Sequence, residues 1–286
     1  YLANVVLAGG VLARCADAEQ KERWLHPLIG GELQATLAFN EPQSRYELAD
    51  VRTTATRDGD NWRLTGAKGV VPNAGTADLV IVPARTSGDV RDTHGITLFA
   101  VPADKLAITS YATFDGLSAG EVELDDVVVA ADAVLGDVDA GFEALDATID
   151  DATLAVCAEA VGIMHVLTEK TVEYAKQRRQ FGVPIGTFQA LQHRMVDMRM
   201  ACEKARSVLT WAVMTRDEGA DDVKRAVSSI KYLVGTAGQK VGEEAVQIHG
   251  GMGVTWELDV AHFFKRLTAI NRLFGNADWH LDKLAA

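Results

Sequence analysis

Apolar residues over the first 33 positions recur at three- and four-residue spacing. YLANVVLAGGVLARCA and the stretch from Asp17 to Leu28, which opens on acidic residues, therefore predict two helices. From about Gln34 to Val129 the period changes to two. QATLAF, VRTTATRDGDNWRLTG, DLVIVPAR, GITLFAVP, LAITSYATF and GEVELDDVVV read as about six strands separated by turn signals, with DGDN between Arg57 and Trp62 as a hairpin turn. After Gly136 the helical period returns and holds to the end. Phe188, Leu191, Met195, Met198, Cys202, Ala205, Leu209 and Ala212 step by three and four, the seam of a helix packed in a bundle. The order of helices, a β block and long helices predicts an α+β fold of separate domains: a helical segment at 1–33, a compact antiparallel β domain, barrel or sandwich, at 34–136, and a helical domain at 137–286.

Composition narrows the function. A net charge of −12 opposes binding to a phosphate backbone, which needs clustered Lys and Arg, so nucleic acid is set aside. Cys15, Cys157 and Cys202 are scattered in apolar, helix-like surroundings, as small hydrophobes in a reducing cytoplasm would be. No apolar run approaches the roughly 18 to 20 residues of a membrane helix and no signal peptide is evident, so no membrane partner is expected. A chain that opens at Tyr1 in a helical pattern reads as part of something longer.

Common catalytic signatures are missing: there is no GxSxG elbow, HExxH, P-loop or GxGxxG. The seven histidines are dispersed, no metal site is expected, and a lone histidine such as His165 reads as a satisfied structural residue. Three clusters stand out. Arg178 to Gln189 (RRQFGVPIGTFQ) is a basic, glycine-punctuated turn between long helices, able to present guanidinium groups and N–H donors to a phosphate, and equally the pattern of an ordinary helix connection. Gln247 to Gly253 (QIHGGMG) is a helix end running into glycines, either a close-approach site or a glycine cap. Asn40-Glu41-Pro42 ends the first strand and taken alone reads as a turn.

Together these clusters resemble the acyl-CoA dehydrogenase family. YAKQRRQFGVPIGTFQALQHRMVDM and QIHGGMGVTWELDV carry the resemblance most specifically, and ERWLHPLIGGELQATLAFNEP is similar to the segment leading into that family's β domain. The resemblance implies a helical N-terminal domain, of which 1–33 is a remnant, a middle β domain, a C-terminal four-helix bundle and FAD held partly across a subunit interface. It further implies α,β-desaturation of an acyl-CoA by a carboxylate base, with electrons passed to an electron-transfer flavoprotein or similar acceptor. By this resemblance Arg178, Gln180, Phe181, Phe188 and Gln189 contact the pyrophosphate and adenosine of the neighbouring subunit's FAD, as do Gln247 and Gly251.

The chain departs from the family where the flavin ring would sit in its own subunit. Asn40 replaces a threonine, Arg45-Tyr46-Glu47 stands for Gly-Ser-Asp, and Val70-Val71-Pro72 stands for Trp-Ile-Thr, so the residue expected to donate to the ring is a proline without a donor. The family's base positions are Phe274 and Ala152. Asp151 is the nearest carboxylate, one helical step of about 100° from Ala152, and a solvated acidic patch is its plainer reading. The implied function is one subunit of a hetero-oligomeric, FAD-dependent acyl-CoA dehydrogenase, closing the FAD site of a homologous catalytic partner. Residue usage resembles actinobacterial heterotetramers that act on steroid-CoA. The alternatives are a self-sufficient homo-oligomer using Asp151 and a flavin-free structural member.

Overall fold

The computed structural model describes residues 1–285, which divide into two compact units, Tyr1–Ala152 and Thr153 onward. In the first unit a π-helical stretch, Leu2–Ala8, runs into α1 (Gly9–Cys15). Asp17 caps α2 (Ala18–Gln20) reciprocally: its carboxylate accepts from Gln20 N at 2.8 Å while the Gln20 side chain accepts from Asp17 N at 3.0 Å. A second π-helical stretch, Lys21–Leu25, leads to α3 (His26–Gly30), with Pro27 in its first turn and left-handed Gly31 at its end. The two predicted helices are thus present, wound less regularly than their apolar spacing implies.

Strands β1 (Ala35–Leu37), β2 (Thr54–Asp58), β3 (Asn61–Pro72), β4 (Leu79–Arg85), β5 (Ile96–Pro102), β6 (Ala107–Ala112), β7 (Ser118–Ala130) and β8 (Val134–Leu135) form one sheet in the order β6-β7-β3-β2-β4-β5-β8, with β1 beside β4. The DGDN hairpin is found, joining β2 to β3 with Arg57 opposite Trp62. The expectation of a purely antiparallel domain is corrected: β1 pairs with β4 in parallel, as β2 does at Thr54 and Arg85. β1 is three buried residues long, too short for its periodicity to reveal direction. β4 is buried along its whole length, as a strand covered on both faces must be. Trp62, Leu64, Val80, Val82, Phe99, Val101, Val122 and Leu124 form the core of this unit, with Trp62 and Phe99 edge to face at 5.5 Å.

One buried ion pair ties the sheet to its loops. Lys68 Nζ, without solvent exposure, donates to Glu41 Oε1 at 2.6 Å and to Pro83 O at 2.7 Å. Glu41 also accepts from the backbone N–H groups of Arg52 (2.8 Å) and Thr53 (3.0 Å) and from Gln43 Nε2 (2.9 Å), so both oxygens are satisfied. Buried Arg85 reaches the carbonyls of Ala49, Val90, Asp92 and His94 at 2.8–2.9 Å and straps loop 43–53 to loop 86–95.

Helix α4 (Phe142–Gln177) begins in the first unit and continues into the second. Hairpin strands β9 (Arg179–Gln180) and β10 (Val183–Pro184) follow, then α5 (Gln189–Asp217), α6 (Val223–His249), α7 (Val260–Arg272) and α8 (Ala277–Ala285). Of the predicted α5 seam, Met198, Cys202, Ala205 and Ala212 are buried, whereas Phe188 is exposed and Leu191, Met195 and Leu209 are half-buried. Gly242 lets α7 lie close on α6, because a Cβ there would meet Phe264 Cδ2 at 2.6 Å. One expectation needs correction. α4 does contain an 18-residue window long and apolar enough to cross a membrane, but most of that window is buried within the fold, as in a core helix. Scattered carboxylates hide the window from inspection of the sequence. His165 pairs through Nε2 with Glu169 at 3.2 Å, but its buried Nδ1 has no partner among the described residues, so it is only partly satisfied.

Burial works to raise the Glu41 pKa, yet the charge of Lys68 and the hydrogen bonds from Lys68, Gln43 and Thr53 hold it at about 2. A depressed carboxylate contributes stability above its unfolded value of 4.5, and that contribution is lost as pH falls toward 2. Lys68→Met leaves a buried carboxylate without its cation and should cost about 3–5 kcal/mol by urea denaturation at neutral pH. The variant should also lose much of the wild type's fall in stability between pH 4.5 and 2; a variant as stable as wild type would show that the pair is not structural.

Candidate functional site

The basic turn expected to act as a clamp lies in the second unit. Arg178 N donates to Tyr174 O at 2.8 Å as α4 ends, and Ile185 N returns to Arg178 O at 2.8 Å, closing the β9–β10 hairpin. Phe181 and Gly182, at its tip, both have left-handed backbones, with φ of 52° and 81°. This conformation thrusts Phe181 outward to 92% exposure, with its ring edge-to-face with Phe188 at 6.1 Å. The Arg178 guanidinium is exposed and has no partner among the described residues, whereas Arg179 donates to Gly182 O at 3.0 Å and braces the turn. Gln180 is also exposed, its amide donating to Arg179 O at 2.7 Å, and Gln189 is exposed at the first turn of α5.

The second cluster leaves the same end of the bundle. His249, last residue of α6, stacks on Tyr174 with ring centroids 4.3 Å apart, and Tyr174 OH donates to His249 O at 3.3 Å. Burial pushes the His249 pKa down, and its Nδ1–H donates to Ala245 O at 2.8 Å. Gln247 is exposed, and beyond left-handed Gly250 (φ 61°) the space beside Gly251 is open. All seven predicted cofactor contacts thus lie on segments anchored at Tyr174 and His249. A free guanidinium, an exposed aromatic face and an open glycine backbone fit an anionic ligand with a flat base, so this half fits the pyrophosphate and adenosine of FAD.

The ring side, in the first unit, does not fit. β3 bulges between Lys68 and Val71, opposite Val122 and Gly120 of β7, and Val70 sits on the bulge with φ 52°. Gly69 N donates to Asn40 O at 3.0 Å and Val70 N to Glu121 Oε1 at 3.3 Å. Pro72 has no N–H, and its carbonyl accepts from Thr36 Oγ1 at 2.6 Å. The backbone donors of Gly69 and Val70 are therefore consumed, and Pro72 has none to offer. Phe274 and Ala152, at the positions where the resemblance implies a base, bear no carboxylate. Ala152 is fully buried, and Asp151, the candidate carried from the sequence, is ion-paired with Arg14, whose other nitrogen donates to Gly10 O at 3.0 Å.

Phe274 is buried in the turn from α7 to α8 with φ 56°, followed by Gly275 with φ 103°, where a Cβ would meet Trp279 at 2.4 Å. The grip on this turn was not foreseen from sequence. Lys231 of α6, fully buried, donates to Gly275 O at 2.5 Å and to Asn271 O at 3.3 Å, spanning the turn's two ends. His280 Nε2 lies 3.0 Å from Phe274 O, which can only accept, so Nε2 carries the proton and Nδ1 accepts from Ser228 Oγ at 3.2 Å. Burial and the nearby Lys231 push His280 down to about 4, consistent with this neutral ring.

Comparison with known proteins bears on the family and fold of the chain. Residues 36–127 match the acyl-CoA dehydrogenase middle domain and residues 139–286 the acyl-CoA dehydrogenase C-terminal domain. The chain is 32% identical over 270 residues to the probable acyl-CoA dehydrogenase YngJ of Bacillus subtilis, covering 93% of this chain and 71% of that protein. It is 31% identical to the mitochondrial short-chain specific acyl-CoA dehydrogenase of Bos taurus, covering 91% of this chain but only 65% of the bovine one. Among solved structures, butyryl-CoA dehydrogenase from Megasphaera elsdenii superposes with a TM-score of 0.91 at 30% identity, and an FAD complex of PigA with 0.93 at 26%; each match covers 99% of this chain and 75% of the other.

Burial pushes the Lys231 ammonium down to about 8 from 10.5. Between those values the unfolded chain holds the proton that the folded chain has released, so stability should rise with pH there, by up to about 3 kcal/mol. Urea denaturation at about pH 7.5 and about pH 10, roughly the two ends of that window, should show the rise in wild type and not in Lys231→Met. An equal pH response in both would contradict this account of the turn.

Proposed function

The chain belongs to the acyl-CoA dehydrogenase family, and from that premise we propose that it is a subunit of an FAD-dependent acyl-CoA dehydrogenase that closes the cofactor site of a homologous catalytic partner. The observation that carries this reading is the asymmetry between the two halves: an exposed, preformed clamp at Arg178–Gln189 and Gln247–Gly251, against a ring side whose donors are spent. When bound, FAD supplies the hydride acceptor for the oxidation of a CH–CH bond.

Each contact residue of this chain has a definable task. The Arg178 guanidinium neutralises the pyrophosphate with charge-assisted hydrogen bonds. Phe181, backed by Phe188, presents an aromatic edge and face to the adenosine, and its fixed backbone means little freedom is lost on binding. The side-chain amides of Gln180, Gln189 and Gln247 offer both donors and acceptors, and Gly251 lets the ligand approach the backbone.

Proton abstraction is the partner's task. Phe274 has no group to take a proton, and Asp151 is ion-paired with Arg14, so its carboxylate is engaged by a guanidinium rather than open to a substrate. Desaturation requires the acyl α-proton to be removed by a base within about 3 Å or through one water. The acyl-CoA therefore reacts at the partner's ring and base, and electrons leave to an electron-transfer flavoprotein or similar acceptor. Within the acyl-CoA class, the residue usage supports a bulky acyl group such as a steroid, in a heterotetramer located in the cytoplasm.

The visible spectrum tests this reading. Purified alone the chain should be colourless, and co-expressed with a homologous chain encoded beside it the complex should be yellow. Yellow protein from the chain alone would favour a self-sufficient homo-oligomer, and no colour in either case would favour a flavin-free structural role. In the yellow complex, Arg178→Ala should lower FAD affinity roughly ten- to a hundredfold, the worth of one charge-assisted contact, seen as flavin lost on dialysis. Unchanged flavin content would count against the clamp.

A further inference from the structure

Glu121 stands opposite the β3 bulge, where Gly69 and Val70 together face one residue of β7. Its Oε1 accepts from Tyr111 OH at 2.7 Å and from Val70 N at 3.3 Å. Its Oε2 lies 2.9 Å from the point that a Cβ on Gly69 would occupy, so the carboxylate lies against the bulge backbone. Val70 itself is costly: a β-branched residue with φ 52° is a backbone outlier, and its side chain is 51% exposed. With Gly69 N–H on Asn40 O, Val70 N–H on Glu121 and no N–H on Pro72, the bulge has no donor left at these three positions.

We propose that Glu121, bridging Tyr111 and the Val70 bulge, is the residue that shuts this face to a flavin, so that the chain's own β unit does not take up an isoalloxazine ring. The chemistry is one of mismatched partners. The N5 and O4 edge of an oxidised isoalloxazine offers acceptors and needs donors, and a carboxylate offers acceptors alone. Two acceptors face to face leave both without a hydrogen, and an ionised carboxylate must in addition give up water. Replacing Glu121 by glutamine keeps an oxygen for Tyr111 and adds an N–H pair. Replacing Pro72 by threonine restores a backbone N–H and a hydroxyl two residues beyond Val70.

This inference rests on the reading of the β unit as a dehydrogenase middle domain, but its test does not involve the clamp. Riboflavin carries the ring without phosphates or adenosine and so ignores Arg178, Phe181 and Gly251. Riboflavin fluorescence is titrated with the full chain as wild type and as the Glu121→Gln/Pro72→Thr double variant, each checked for folding by circular dichroism. Wild type should show no saturable quenching, and the double variant should gain at least roughly tenfold in affinity, about one restored hydrogen bond. Saturable binding by wild type overturns the proposal, and so does a folded double variant that gains nothing. If the double variant does not fold, Glu121→Gln alone decides by a second signal. Tyr111, pushed up to about 12 by burial and by its bond to Glu121, should ionise at a lower pH in that variant, where the carboxylate charge is gone and burial remains, with a gain in riboflavin quenching alongside; a shifted tyrosine with no gain overturns the proposal as well.

Discussion

The buried pair of Glu41 and Lys68 is the constraint on which the first unit turns. A lysine without solvent exposure is tolerable only with its charge answered, and here a carboxylate at 2.6 Å and a carbonyl at 2.7 Å answer it. The pair does more than satisfy itself. Glu41 also gathers the N–H groups of Arg52 and Thr53, so loop 41–53 folds back on β3. Lys68 is the last regularly paired residue before the bulge, and Gly69 donates to the carbonyl of Asn40, next to Glu41. One ion pair therefore sets where the strand stops being regular, and hence where Val70 is exposed.

The second unit uses a similar device on different terms. Lys231 donates to the carbonyls of Asn271 and Gly275, and burial lowers its pKa, where Glu41 is held ionised by a cation beside it. Its role is to hold two ends of a tight turn. Phe274 occupies that turn in a left-handed conformation stabilised by His280 on its carbonyl and Lys231 on the next. The geometry that holds this turn is intact although the residue at its centre is not ionisable. At the other end of the bundle, the Tyr174–His249 stack holds the exposed clamp segments with equal definition.

Much of this was legible in the sequence, and the divide follows contact range. The two candidate clamp segments were readable as exposed connections because each is contiguous: Arg178 to Gln189 is one turn, and Gln247 to Gly251 is one helix end. The α+β order and the β2–β3 hairpin followed from periodicity and a local turn. Contacts between residues far apart left no local signal. Nothing local marks Lys68 as buried until Glu41, 27 positions earlier, is found beside it, and nothing local marks Glu121 as a partner of Val70 N. Val70 was named as a departure from the family, but its left-handed bulge was not foreseen, since nothing local in an apolar run signals a positive φ at a valine. The parallel pairing of β1 and β4 and the apolar stretch of α4 escaped because three residues carry no direction and interspersed carboxylates mask a buried helix.

We propose a chain that offers exposed cofactor contacts at Arg178–Gln189 and Gln247–Gly251 to a partner, while its own ring side is closed and Phe274 and Ala152 stand where the family resemblance implies a base. The most direct measurement is the ratio of FAD to polypeptide in the assembled complex, from flavin absorbance after denaturation set against quantitative amino-acid analysis. One FAD for each pair of unlike chains is the predicted value, because only one of the two sites would combine an open ring side with an intact clamp. One FAD for every polypeptide would contradict the account.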